Sequence, residues 1–166
     1  MDNPPQVILF GSISGGWREQ HVIPVLDELG VSYYNPAQEN GWTHQSGDIE
    51  AEVLAACETI VIPINRTSLA FTALAEVGWA AAGCALRNQN LILQIDLDYD
   101  VSLGAEITAS DAGKSLERAL QHYATSSRYL VYKHAMAFNH PRLYIVPNMA
   151  GIAAKLRDIY LKSDLP

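Results

Sequence analysis

Glu76 is the only charged residue between Thr67 and Leu86, in the run TSLAFTALAEVGWAAAGCAL. A carboxylate is costly to bury without partners, and acids with perturbed ionisation cluster at reactive sites. Position alone leaves two readings open. One is an acid at a helix edge, reaching a backbone N–H or an arginine such as Arg66. The other is a group placed for chemistry. A second candidate is Gly11-Ser12-Ile13-Ser14-Gly15-Gly16. Its glycines let backbone approach a ligand, the hydroxyls of Ser12 and Ser14 can donate hydrogen bonds, and amides opening the next helix favour an anion. Arg18 stands at that helix start, where a guanidinium can pair with a phosphate or carboxylate. The spacing fits neither a dinucleotide fingerprint nor a P-loop, since no Gly-Lys-Ser/Thr follows. The third candidate is the acid cluster Asp48, Glu50 and Glu52. Acids suit a first helical turn, and Asp48 reads as an N-cap. Ile49, Val53 and Cys57 define the buried face. Glu50 and Glu52 flank it on opposite sides, so one of the acids can face a crevice as an acid or base. Of the aromatics Trp17, Tyr33, Tyr34 and Trp42, Tyr33 reads as core, whereas a ring beside a crevice could stack on a base. No metal or cofactor is expected. The histidines lack zinc spacing, Asp96, Asp98 and Asp100 lack the glycine and distal glutamate of a calcium loop, and neither serine lies in a nucleophile elbow.

These residues need elements to hold them. Residues 6–11 (QVILFG), 31–34, 59–64 (TIVIPI), 90–95 (NLILQI) and 143–146 are short apolar runs bounded by turn residues, and they read as strands. Between them lie helical patterns. Residues 17–29 are closed by Gly30, with Pro24 predicting a kink or a late start. Residues 48–57 form a short helix after a polar loop over 37–47 that could act as a lid. The Glu76 helix, capped by Ser68, is apolar on nearly every side and reads as buried. Residues 112–139 are helical in two pieces breaking near Ser126-Ser127, and 148–161 close the chain. Alternating strands and helices predict an α/β fold, a flavodoxin-like doubly wound five-stranded parallel sheet with helices on both faces and strand order 2-1-3-4-5. Ligands bind such sheets beyond the carboxyl ends of the strands, at the topological switch point. That edge would carry the Gly11–Gly16 loop, Asn35-Pro36, Asn65 and the start of the Glu76 helix.

The 166 residues suit one domain spanning the chain. With 49% apolar and 17% charged residues, the composition is that of a globular protein rather than a disordered one. A net charge of −7 argues against broad electrostatic binding to a nucleic-acid polymer, while a small anionic ligand at a helix N-terminus remains compatible with it. Cys57 and Cys84 lie in apolar helical contexts and read as buried thiols of a reducing cytoplasm. No apolar run reaches membrane-spanning length, and MDNPPQ lacks the basic and apolar regions of a signal peptide.

Over residues 6–95 the chain resembles the nucleoside 2-deoxyribosyltransferase superfamily, which includes the 2′-deoxynucleoside 5′-phosphate N-hydrolases. The resemblance rests on GSISGGWRE after the first strand, YYNP after the second, Trp42, DIEAEVLAACETIVIPIN and AEVGWA, in that order. It implies that Glu76, in the family's Glu-x-Gly element, attacks an anomeric carbon and leaves a glycosyl-enzyme, which a second base or water resolves. It also implies an upstream acid, usually Asp. Counting eight residues back from Glu58 reaches Glu50, with Asp48 as the rival. Gly11, Ser12, Ser14, Gly15 and Gly16 are implied to contact sugar or phosphate, joined at the same edge by Arg18, Asn35 and Asn65. Tyr34 and Trp42 could sandwich the base. The implied partner is a small-molecule nucleoside or nucleotide, and the implied assembly a homodimer or higher homo-oligomer.

Overall fold

A computed structural model describes residues 3–37, 43–100 and 102–161. Five strands form one parallel sheet in the order β2-β1-β3-β4-β5, with β1 at Val7–Leu9, β2 at Tyr33–Tyr34, β3 at Thr59–Ile64, β4 at Asn90–Ile95 and β5 at Leu143–Ile145. This is the doubly wound α/β order expected from the sequence. The continuous apolar runs have a simple cause: both faces of the sheet are covered. Alternate side chains enter two separate cores. Ile8, Ile60, Ile62, Leu91 and Leu93 enter one, and Val7, Leu9, Val61 and Ile92 enter the other.

Helices α2 (His44–Ala56), α3 (Phe71–Arg87) and α5 (Asp111–Phe138) contribute to the first core. Helices α1 (Ile23–Leu29) and α6 (Met149–Tyr160) contribute to the second. A short α4 (Ala105–Thr108) precedes α5. Pro24 acts as its sequence suggests. It has no N–H to donate, and the preceding Arg18–Val22 turn is π-wound, with Ile23 N–H donating to Arg18 O five residues back.

Four local expectations are corrected. The second helix begins at His44, not Asp48, because Thr43 and Ser46 form a reciprocal capping box. Residues 44–47 are therefore helix, not loop, and Asp48 is not an N-cap. Ser68 does not cap α3. Ala70, in the left-handed region at φ 54°, holds that place, and Ser68 Oγ accepts from the Ala70 N–H at 3.1 Å. Helix α3 is not buried all round either. Ala73, Leu74, Val77, Ala80, Gly83 and Cys84 face inward, while Phe71, Trp79 and Leu86 are 56%, 70% and 80% exposed. Finally, α5 runs unbroken through Ser126, whose hydroxyl returns to the His122 carbonyl at 2.8 Å and so fits the helix.

No helix among the described residues is long and apolar enough to cross a membrane. Cys57 and Cys84 are buried free thiols.

Candidate functional site

The strand order reverses between β1 and β3, and a cleft of about 650 Å³ opens beyond their carboxyl ends. Its polar lining includes Arg18, Glu50, Thr72 and Glu76, and its apolar lining includes Phe10 and Ile13. The geometry begins at Gly11. This residue has φ 101°, and a Cβ there would lie 2.4 Å from the Pro63 carbonyl oxygen. Only glycine fits. The same close approach accounts for a proline in a central strand. Pro63 meets the chain past the end of β1, where Gly11 faces it and its own carbonyl accepts the Ser12 N–H at 2.9 Å.

Glu76 lies in the second turn of α3, one turn beyond Thr72, so both side chains line the cleft. Burial pushes its pKa up to about 7. The charge of Glu50 raises it further, while the Gly11 backbone amide and the Arg18 guanidinium act in the opposite direction. Glu50 enters from α2, and its pKa is also raised by burial. Two carboxyls that oppose each other's ionisation in one half-closed cleft can share a proton. Arg66 does not partner Glu76. It pairs instead with Asp98 and Asp100 on the surface.

Arg18 is 2% exposed. Its Nε and Nη2 donate to Leu9 O at 3.1 and 2.9 Å, its Nη1 donates to Ser12 O at 3.0 Å, and its guanidinium stacks 4.2 Å over the Trp17 ring. Desolvation lowers its pKa to about 10. It therefore braces the end of β1 while still lining the cleft.

The remaining sequence candidates divide. Gly11, Arg18, Glu50 and Glu76 line the cleft. Ser12, Ser14, Gly15 and Asn65 make the frame beside it. Asn65 N–H donates to Ser12 Oγ at 3.1 Å, Asn65 Nδ2 donates to Ser14 O at 2.7 Å, and Gly15 backs onto the Asn65 side chain. Gly16 has φ 59° and accepts the Gln20 N–H, so it serves the turn. Asn35 Oδ1 accepts the Ala37 N–H at 3.0 Å, which shapes the chain leaving β2. Tyr34 packs, half-buried, against the first core. Asp48 is exposed and is not part of the cleft lining. Trp42 and the middle of the expected lid lie outside the described residues.

Phe10, Ile13 and Thr72 line the cleft without having been singled out from the sequence. Thr72 was findable, because it stands four residues before Glu76 on the same helical face. Ile13 carried a weaker signal, an apolar residue inside a Ser-Gly loop. Among the described residues, no group of three or more His, Cys, Asp or Glu side chains could hold a metal ion. Compared with known proteins, the chain matches no family model and no curated protein.

Proposed function

We propose that this protein cleaves or exchanges the N-glycosidic bond of a (deoxy)nucleoside or its 5′-monophosphate, with Glu76 as nucleophile and Glu50 as proton donor. The observation that carries this reading is the Glu76 carboxyl, which lines a switch-point cleft together with Glu50 and Gly11 and whose pKa burial pushes up to about 7. The resemblance of GSISGG and AEVGWA to nucleoside 2-deoxyribosyltransferases supports the same chemistry. In the first step the Glu76 carboxylate attacks the anomeric carbon. The bond to the base breaks, and the base leaves with the electron pair and takes the Glu50 proton. Water or a second base then attacks the same carbon, returns a proton to Glu50 and frees Glu76.

The pair works while it holds one proton. In the free protein, burial raises the pKa of both carboxyls. Positive charge developing at the anomeric carbon favours the Glu76 carboxylate and leaves the proton to Glu50. Phe10 and Ile13 supply apolar contact for a sugar or base face. The buried thiols support a reducing, cytoplasmic location.

The test is chromatographic. Deoxynucleosides and their 5′-monophosphates are incubated with the protein, with and without a second free base. Release of base supports the hydrolase form, and exchange that needs added base supports the transferase form. No product from any substrate, with thermal stabilisation by one of them, would favour a nucleotide-binding module without catalysis. That second reading is favoured by Glu50, a longer acid where the resembling enzymes usually carry Asp.

The functional unit in this reading is a homo-oligomer. The outer face of α3 carries Phe71 and Trp79 with no charge, and α5 exposes Leu116, Tyr123 and Leu130 at seven-residue spacing. Trp79→Lys should shift the protein to a smaller species in sedimentation, and an unchanged sedimentation coefficient would remove this face from the assembly.

A further inference from the structure

Arg128 lies in the middle of α5 and is fully buried. A buried cation is costly unless paired, yet no carboxylate lies within ion-pair distance of it among the described residues. Its surroundings show what holds it. Nη2 donates to Asn65 O at 3.0 Å and to Ser68 O, Nη1 donates to Ala124 O at 3.3 Å, and the guanidinium sits 5.3 Å over the Tyr99 ring. Asn65 and Ser68 belong to the connection between β3 and α3. One guanidinium therefore ties two carbonyls of that connection to a helix outside it.

The same connection frames the cleft. Asn65 donates its N–H to Ser12 and its Nδ2 to Ser14, and its Oδ1 accepts the Thr67 hydroxyl. Ser68 Oγ holds the N–H of left-handed Ala70, whose carbonyl receives the Leu74 N–H in the first turn of α3. Through Asn65, Arg128 is linked to the loop after β1. Through Ser68 it is linked to the helix bearing Thr72 and Glu76. Gly11 and Glu76, one from each of these two frames, line the same cleft. Arg128 itself does not line the cleft.

We propose that Arg128 is a positioning residue that sets the register of the Glu76 helix against the Gly11 amide by clamping the Asn65 and Ser68 carbonyls. This assignment rests on the N-glycosidic reading for its effect on turnover, and on the Arg128 contacts and the shared cleft lining for its effect on Glu76. A lysine cannot replace it, because an ammonium lacks the planar fork that meets separate carbonyls at fixed angles. A displacement of about 1 Å at a reacting group is enough to slow chemistry about 100-fold.

The experiment compares wild type with Arg128→Lys and Arg128→Ala. Glu76 is followed by ¹³C NMR of its carboxyl, and base release is resolved into kcat and KM. The expected result is an upward move of the Glu76 titration midpoint in both variants, as the Gly11 amide draws away from the carboxyl. With it, kcat should fall about 10- to 100-fold while KM stays within a few-fold. Millimolar guanidinium should restore kcat in Arg128→Ala, and methylammonium should not. Should the alanine variant fail to fold, the lysine variant, which keeps the stem and the charge, carries the test. An unmoved Glu76 midpoint in a folded variant overturns the proposal. So does a loss of kcat that tracks loss of circular dichroism and resists guanidinium. Absence of base release by the wild type would sink the glycosidic reading alone, since the Glu76 midpoint still decides the role of Arg128.

Discussion

The two ends of the sheet carry clefts of similar size and opposite character. The carboxyl end holds about 650 Å³ around Glu76, and the amino end holds about 550 Å³ around Gln89, Asn90 and Arg142. At the amino end the buried polar groups pair with one another. Gln89 Nε2 donates to Leu54 O and Cys57 O, Arg87 donates to Gln89 Oε1, Arg142 donates to Asn90 Oδ1, and Tyr160 OH donates to Thr59 Oγ1. Burial pushes the Cys57 thiol up to about 12, so it is inert there. At the carboxyl end, two acids oppose each other's ionisation, an arginine is buried, and the chain takes positive φ at Gly11, Gly15, Gly16 and Ala70. Volume does not separate the two clefts. Demand for charge and hydrogen bonds left inside the cleft does, and such demand is what a substrate can meet.

Substitutions at each end should separate activity from stability. The largest expected effect is Glu76→Gln, which should reduce base release to background in a chromatographic assay, a loss of at least about 1000-fold. Gln89→Leu, at the other end, should leave base release unchanged. A comparable loss in both would erase the distinction. Glu50→Gln comes next, with an expected loss of about 100- to 10,000-fold. For the intact pair, kcat/KM should fall as pH rises through about 7, where the last shared proton leaves. A rate that keeps climbing above pH 8 would contradict the shared proton.

Stability gives the smaller contrasts. Glu76 loses its proton near its ordinary 4.5 in the unfolded chain and near 7 in the folded one. Between these values the folded state binds more protons, so stability falls as pH rises, and the full penalty is present above pH 7. Glu76→Gln removes it. Urea titration should find the variant on the order of 2–3 kcal/mol more stable than wild type at pH 8 and nearly equal at pH 4. Gln89→Leu should do the reverse. Leaving the Leu54 and Cys57 carbonyls unmet should cost about 1–3 kcal/mol at any pH between 4 and 8.

The same contrast explains what the sequence made legible. Strands buried on both faces announce themselves as apolar runs such as TIVIPI and NLILQI, and five of them alternating with helices give the sheet order. Glu76 stood out because nothing charged surrounds it. Asp48 and Glu50 could not be ranked, since their placement depends on a helix start at His44 that Thr43 and Ser46 decide through a capping box in a polar stretch without periodicity. Helix α3 looked buried because an apolar face reads the same whether it meets a sheet or solvent. Arg18 suggested a ligand contact, and its backbone carbonyl partners become visible only once the turn around Gly11 is folded. Arg128 was silent, because an arginine in a long polar helix reads as solvated until tertiary contacts bury it.

The central claim is that the Glu76 carboxyl forms a bond to the sugar. The most direct measurement is mass spectrometry of the protein quenched in acid during turnover of a deoxynucleoside or its monophosphate. The account predicts a proteolytic fragment containing Glu76 that is heavier by one glycosyl group, absent from Glu76→Gln. Base release with the adduct on another residue, or with no adduct under conditions where the second step is slow, would contradict it.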